Sequence, residues 1–105
     1  IRLKAARKAK KITQEQLGIM AGIDEFSAST RINRYEKGIH EPHLAIVEKI
    51  AAVLDLPVAY FYCVTDIDAE IIRLIHHLTE QEKKDLVAFL KTLTDKAFIK
   101  TCLIV

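Results

Sequence analysis

A chain of 105 residues carrying a formal net charge of only +2 has room for one domain, or one small domain plus an extension. Half of its residues are hydrophobic, enough to build a core. No run approaches the ~18 apolar residues of a membrane span, and no signal-peptide pattern opens the chain, so the cytoplasm is the default location. Ile1 rather than Met stands first, which reads as a fragment or a trimmed chain.

The charge is unevenly spread. Residues 1–37 hold nine Lys/Arg against four Asp/Glu, whereas residues 64–105 hold six against seven. Basicity of this kind on one segment is the footprint expected of a nucleic-acid reader. A solvated basic helix face gives the same count, so charge alone does not decide.

Residues 1–10 interleave Leu3, Ala6 and Ala9 with five Lys/Arg side chains, a composition that favours helix. Thr13 followed three residues later by Gln16 is a capping-box pattern, so a second helix is predicted from Gln14, with Leu17 and Met20 inward and Gly22 at its end. A third helix ends at Gly38, where a left-handed residue belongs. Its start is open between two good N-caps, Asp24 and Ser27. Ser27 is preferred, because a start at Asp24 would bring Glu25 near phosphates.

Pro42 is expected to open a fourth helix, where its missing N–H costs least. The apolar stripe of that helix is Leu44, Val47, Ile50, Ala51 and Leu54. Pro57 begins a short aromatic segment, Val58 to Tyr62. Val64 to Asp68 read as a linker. A sixth helix carries Ile71, Ile72, Leu74, Ile75 and Leu78. A second capping box, Thr79 with Glu82, opens a seventh that carries Leu86, Phe89, Leu90 and Leu93. The terminal FIKTCLIV is strongly apolar. The spacing throughout is helical, so the expected fold class is all-α: five helices over residues 1–63, then two C-terminal helices over residues 64–105.

The third helix holds the chemistry. At ~100° per residue, with Thr30 taken as zero, Arg34 falls at ~40°, Lys37 at ~340° and Asn33 at ~300°. Ala28, Ile32 and Tyr35 fall between ~140° and ~200° on the same projection. One face is therefore polar and basic and the other apolar. Arg can donate a pair of hydrogen bonds to guanine, and Asn can pair similarly with adenine. The small Ser29 and Thr30 allow close approach to a groove floor. Gln14 can present its amide to a phosphate. Arg31, ~100° round from Thr30, and Lys37 are further phosphate candidates.

The pattern TQEQLG…G…INRYEKG…P resembles the lambda-repressor/Cro-like helix-turn-helix family, also called the XRE family, over residues 2–62. The resemblance implies a five-helix DNA-binding domain of a bacterial or phage transcription regulator. It places Gln14 on a phosphate, puts Ser29, Thr30 and Arg34 at base-reading positions with Asn33 beside them, and makes Arg7 and Glu36 a buried pair tying the first helix to the end of the third. Two departures stand out. From Gly22 to Glu36 the chain is about four residues longer than the family spacing, the extra residues are approximately Asp24–Ser27, and they are expected to lengthen the turn before the third helix and shift how deeply that helix sits. Gly18 stands where the family usually has alanine.

Other residues take plainer readings. Cys63 and Cys102 have no metal-ligand spacing and read as free thiols, with a single disulfide the lesser alternative. His40 and His43 are separated by Pro42, and His76 and His77 are adjacent; a metal site needs three or four convergent ligands, so these are read as surface or packing histidines and no metal or cofactor is expected. Tyr60, Phe61 and Tyr62 are read as packing residues rather than a base-stacking platform. No nucleophile motif, phosphate loop or acid–base pair emerges, so the chain is taken as a non-enzyme. The leading expectation is a sequence-specific double-stranded-DNA binder, a repressor acting as a homodimer joined through residues 68–105. The alternatives are an antitoxin or similar module whose C-terminal helices cover a partner protein, and a phage-type repressor that has lost an effector domain.

Overall fold

Helices account for every regular element among the described residues of the computed structural model, which cover the backbone of residues 1–104 and the side chains of residues 1–95. In chain order they are α1 (Lys4–Ala9), α2 (Gln14–Met20), α3 (Glu25–Glu36), α4 (Leu44–Leu54), a 3₁₀ helix (Val58–Tyr62), α5 (Asp66–Ile75) and α6 (Glu80–Ile104). The fold is all-α.

Local chemistry explains most boundaries. Thr13 and Gln16 make a complete capping box: the Gln16 amide donates to the Thr13 hydroxyl at 3.0 Å, and the Thr13 amide donates to Gln16 Oε1 at 2.8 Å. Both bonds occupy donors that a helix start otherwise leaves unpaired. Thr79 and Glu82 repeat the device at the head of α6. There, bonding to the backbone and hydroxyl of Thr79 holds the Glu82 carboxyl below its ordinary range. Gly38, with φ of +73°, ends α3, and the Ile39 amide reaches back to the carbonyl of Arg34 at 3.0 Å. That left-handed step is open to glycine at little steric cost.

Four boundaries and two faces differ from the sequence reading. α3 begins at Glu25 with Asp24 as its N-cap, not at Ser27. The Ser27 amide already bonds the Asp24 carbonyl at 3.0 Å, so Ser27 lies within the first turn. The additional residues wind into the helix because winding pairs their backbone groups, which an open loop would leave to water. Pro42 lies two residues before α4, whose N-cap is His43. The linker is shorter than Val64–Asp68, because the Thr65 hydroxyl accepts from the Asp68 amide and starts α5 at Asp66. α1 is confined to Lys4–Ala9. Met20 and Leu44 face solvent, at 60% and 58% exposure, rather than the core.

The core lies between α1–α4 and the 3₁₀ helix. Leu17, Ala28, Ile32, Val47 and Ile50 are fully enclosed, with Leu54 and Phe61 nearly so. Ile32 and Tyr35 turn the apolar side of α3 into this core and leave its other side outward. α2 and α3 approach so closely that a β-carbon built on Gly18 would lie 2.6 Å from Ala28 Cβ and 2.9 Å from Ala28 Cα. Phe61 is buried and Tyr60 half-buried against it with an edge-on ring contact, whereas Tyr62 is about half exposed.

The extension joins this body through polar ties. Arg2, held by the Cys63 carbonyl through Nε at 2.9 Å, donates from Nη1 to Asp66 at 2.9 Å and from Nη2 to the Val64 carbonyl at 3.3 Å. α5 packs against the 3₁₀ helix, and Ala69 is its one buried residue. None of the described side chains of α6 is buried. The described side chains of α6 therefore add no buried residue to the core. FIKTCLIV and Cys102 lie outside the described side chains; Cys63 is a free thiol.

Candidate nucleic-acid interface

The ends of α1, α2 and α3 meet at one carboxylate. Glu36, at the last turn of α3, accepts from Arg7 Nε at 2.5 Å, from Arg7 Nη2 at 3.2 Å and from Gln14 Nε2 at 3.0 Å. Arg7 also donates to the Ile12 carbonyl at 2.9 Å. The Arg7 and Glu36 side chains are only 11% and 3% exposed, so the pair is shielded from water and fully hydrogen-bonded. Such a hub fixes the attitude of α3 relative to α2 through geometry that a lone surface ion pair would lack. It also uses one amide hydrogen of Gln14, leaving the other free for an outside acceptor.

The outward side of α3 is continuous and polar. Ser29, Thr30, Asn33, Arg34 and Lys37, with Ile39 just past the helix end, line one shallow, open depression of about 270 Å³. Ser29, Thr30, Arg34 and Lys37 are exposed and Asn33 is half-buried. Arg31 points elsewhere: its Nη2 and Nε donate to the Tyr35 hydroxyl at 2.8 and 3.2 Å, and its guanidinium lies 5.8 Å from the Tyr35 ring centre. The sequence reading missed two residues on this side, Ile39 and Phe26, the latter 88% exposed on the first turn of α3. Phe26 stands four residues before Thr30, and that spacing would have put it on the face had the helix start been placed at Asp24.

A protruding, hydrogen-bonding helix locked against a shorter capped helix is the arrangement that enters a DNA major groove in helix-turn-helix proteins. The family described as Helix-turn-helix (HTH_3) matches residues 3–61. The chain belongs to this XRE-type helix-turn-helix family. Among solved structures it is similar to one described as the crystal structure of transcriptional regulator BswR, at 45% identity and a TM-score of 0.82, over 90% of this chain and 94% of that one. That coverage is more than residues 3–61 can supply, so the likeness runs on into the extension. No curated protein matches. As a helix-turn-helix protein of this family, the chain is a double-stranded-DNA binder of the transcription-regulator kind.

Two features lie away from this face. Asp55, in a left-handed conformation at the end of α4, meets His76 and His77 with contacts of 3.7 and 3.1 Å. The ligand atoms of the three fall within 4.8 Å of one another, a convergence that the adjacent-histidine pattern alone did not signal. The carboxylate is well exposed, and the contacts link α4 to the end of α5 whenever an imidazole is protonated. Beside them an open hollow of about 430 Å³ is lined by Tyr60, Glu70, Arg73 and His77 among others. Hydrogen bonding to Arg73 holds the Glu70 carboxyl below its ordinary range and raises Arg73 in turn. No described helix is long and apolar enough to cross a membrane.

Proposed function

We propose that the protein represses transcription by binding operator DNA as a homodimer, each copy laying α3 in the major groove. The observation that carries this reading is the single polar depression on α3 shared by Ser29, Thr30, Asn33 and Arg34. These four contact base edges. Lys37 and the free amide hydrogen of Gln14 contact phosphates. Arg31 reaches a phosphate only by leaving the Tyr35 hydroxyl. Repression is steric and needs no catalytic group, cofactor or metal, and the cytoplasm is where such a protein meets its DNA.

Dimerisation rests on the extension, read as a unit comprising residues 64–105 after a DNA-binding unit comprising residues 1–63. Ile67, Ile71 and Leu74 of α5 and Val87, Phe89, Leu90 and Leu93 of α6 are between 44% and 66% exposed. Each such side chain forgoes part of the ~1.5–3 kcal/mol that burial provides, so a cover is favoured. A second copy supplies one and sets two α3 helices at half-sites ~34 Å apart. Sedimentation equilibrium of the full chain should give a dimer or higher assembly at micromolar concentration; a monomer at high micromolar concentration would discard the dimer. The same exposed face supports a second reading, a partner protein covered by α5 and α6 as in an antitoxin. A stoichiometric second protein co-purifying with the chain would favour it.

Selection of bound fragments from random DNA, followed by a salt titration, tests the reading as a whole. Against the selected site, Arg34→Ala should lose ~1–3 kcal/mol of discrimination between base variants. Gln14→Ala should weaken all sequences alike and leave the salt slope nearly unchanged, because the lost group is uncharged. Equal affinity of Arg34→Ala and the parent for the selected site would discard the base-reading assignment.

A further inference from the structure

Winding Glu25–Ser27 into α3 behind the N-cap Asp24 adds most of a turn at the end of the helix that, in helix-turn-helix proteins, meets base edges first. Only part of that turn faces the same way as the polar depression. At ~100° per residue, Phe26 falls ~40° from Thr30 on the Asn33 and Lys37 side and Ser27 ~60° on the Arg34 side. Asp24 and Glu25 fall ~120° and ~140° away, so the extra turn shows its ring forward and carries its acids round the back. Phe26 is 88% exposed, the most open aromatic residue among the described side chains.

We infer that Phe26 is a base-reading residue that packs on the 5-methyl group of a thymine in the major groove. The inference rests on α3 being the groove-reading helix. The thymine methyl is the one apolar feature the major groove presents, and phenylalanine is among the side chains suited to it. Phe26 lies one helical turn, ~6 Å, nearer the N-terminus than Thr30, on the line running through Thr30 and Asn33 towards Lys37. Its neighbours three and four residues on are the hydroxyl residues Ser29 and Thr30. A ring at one end of a stripe of Ser29, Thr30, Asn33, Arg34 and Lys37, with Ile39 at the other end, matches a surface of phosphates, base edges and a few methyl groups. It matches an apolar protein face poorly; the exposed apolar side chains proposed as the interface, Ile67, Ile71 and Leu74 of α5 and Val87, Phe89, Leu90 and Leu93 of α6, lie on other helices.

The test uses the full chain and its best duplex selected from random DNA, with each thymine replaced in turn by deoxyuridine, which removes only the methyl group. For the parent, one replacement per half-site should weaken binding about four-fold, the worth of one buried methyl. Phe26→Ala should bind the unmodified duplex several-fold more weakly and be indifferent to that replacement, with its melting temperature unchanged because the ring touches no core. Phe26→Leu should keep part of the methyl preference. A parent insensitive to every deoxyuridine replacement, though it binds DNA tightly and selectively, would overturn the Phe26 assignment and leave groove reading by α3 intact. Loss of self-association in Phe26→Ala with unchanged DNA affinity would overturn it in favour of a contact between copies. Failure of the parent to select any duplex would remove both the assignment and the reading on which it rests.

Discussion

Glu36→Ala should cost the folded protein ~3–5 kcal/mol, the effect expected when one partner of a buried ion pair is removed and the other stays. Three hydrogen bonds end on this carboxylate, two from Arg7 and one from Gln14. In the variant the guanidinium, 11% exposed, retains the Ile12 carbonyl as its acceptor and has no countercharge beside it. The double variant Arg7→Met, Glu36→Leu should be less damaged than Glu36→Ala alone, because no charge is then stranded. Urea unfolding with an unchanged m-value measures both. If Glu36→Ala proved within ~0.5 kcal/mol of the parent, as an ordinary surface substitution is, the hub would be an ornament of the surface. DNA affinity should fall as well, since the same carboxylate holds the end of α3 and the head of α2.

Gly18→Ala should destabilise by a net ~1–2 kcal/mol, against the usual direction for a helical glycine. Alanine would return up to ~1 kcal/mol of helix propensity, whereas overpacking a filled interior costs ~1–3 kcal/mol. Overpacking wins because the new methyl meets Ala28 Cβ at 2.6 Å and Ala28 Cα at 2.9 Å. No flexible side-chain end is there to swing aside, so α3 itself must move. The contact is at the α2–α3 crossing, so a shift there re-aims the polar face, and affinity should fall by more than the stability loss explains. Adding Ala28→Gly should restore only part of the stability, since the α-carbon clash persists. A Gly18→Ala protein as stable as the parent would show that the two helices have room to separate.

Much of this protein is written locally. Thr13 with Gln16, Thr79 with Glu82, and Gly38 announce helix ends because a cap is made within a few residues of chain. The spacing of Ala28, Ile32 and Tyr35 foretold which side of α3 is buried. The motif from Gln14 to Gly38 was enough to indicate the family. Pro42 marks a helix start only to within a residue or two, and the Thr65 hydroxyl cap on Asp68 shortens the linker.

What only the tertiary structure decided is set by atoms far apart in the chain. Whether the residues after Gly22 lengthen a turn or a helix depends on how α3 can dock, and docking put Phe26 forward and both acids behind. That Gln14 shares Glu36 with Arg7, and that Arg31 is drawn to Tyr35 rather than outward, follows from where three helix ends converge. The meeting of Asp55 with His76 and His77 spans two helices. The open apolar face of α6 is decided in the same way, since a hydrophobic stripe reads identically in sequence whether its cover is the chain's own core or another molecule. Periodicity specifies which side of a helix seeks burial; only the packing of the whole chain specifies what, if anything, buries it.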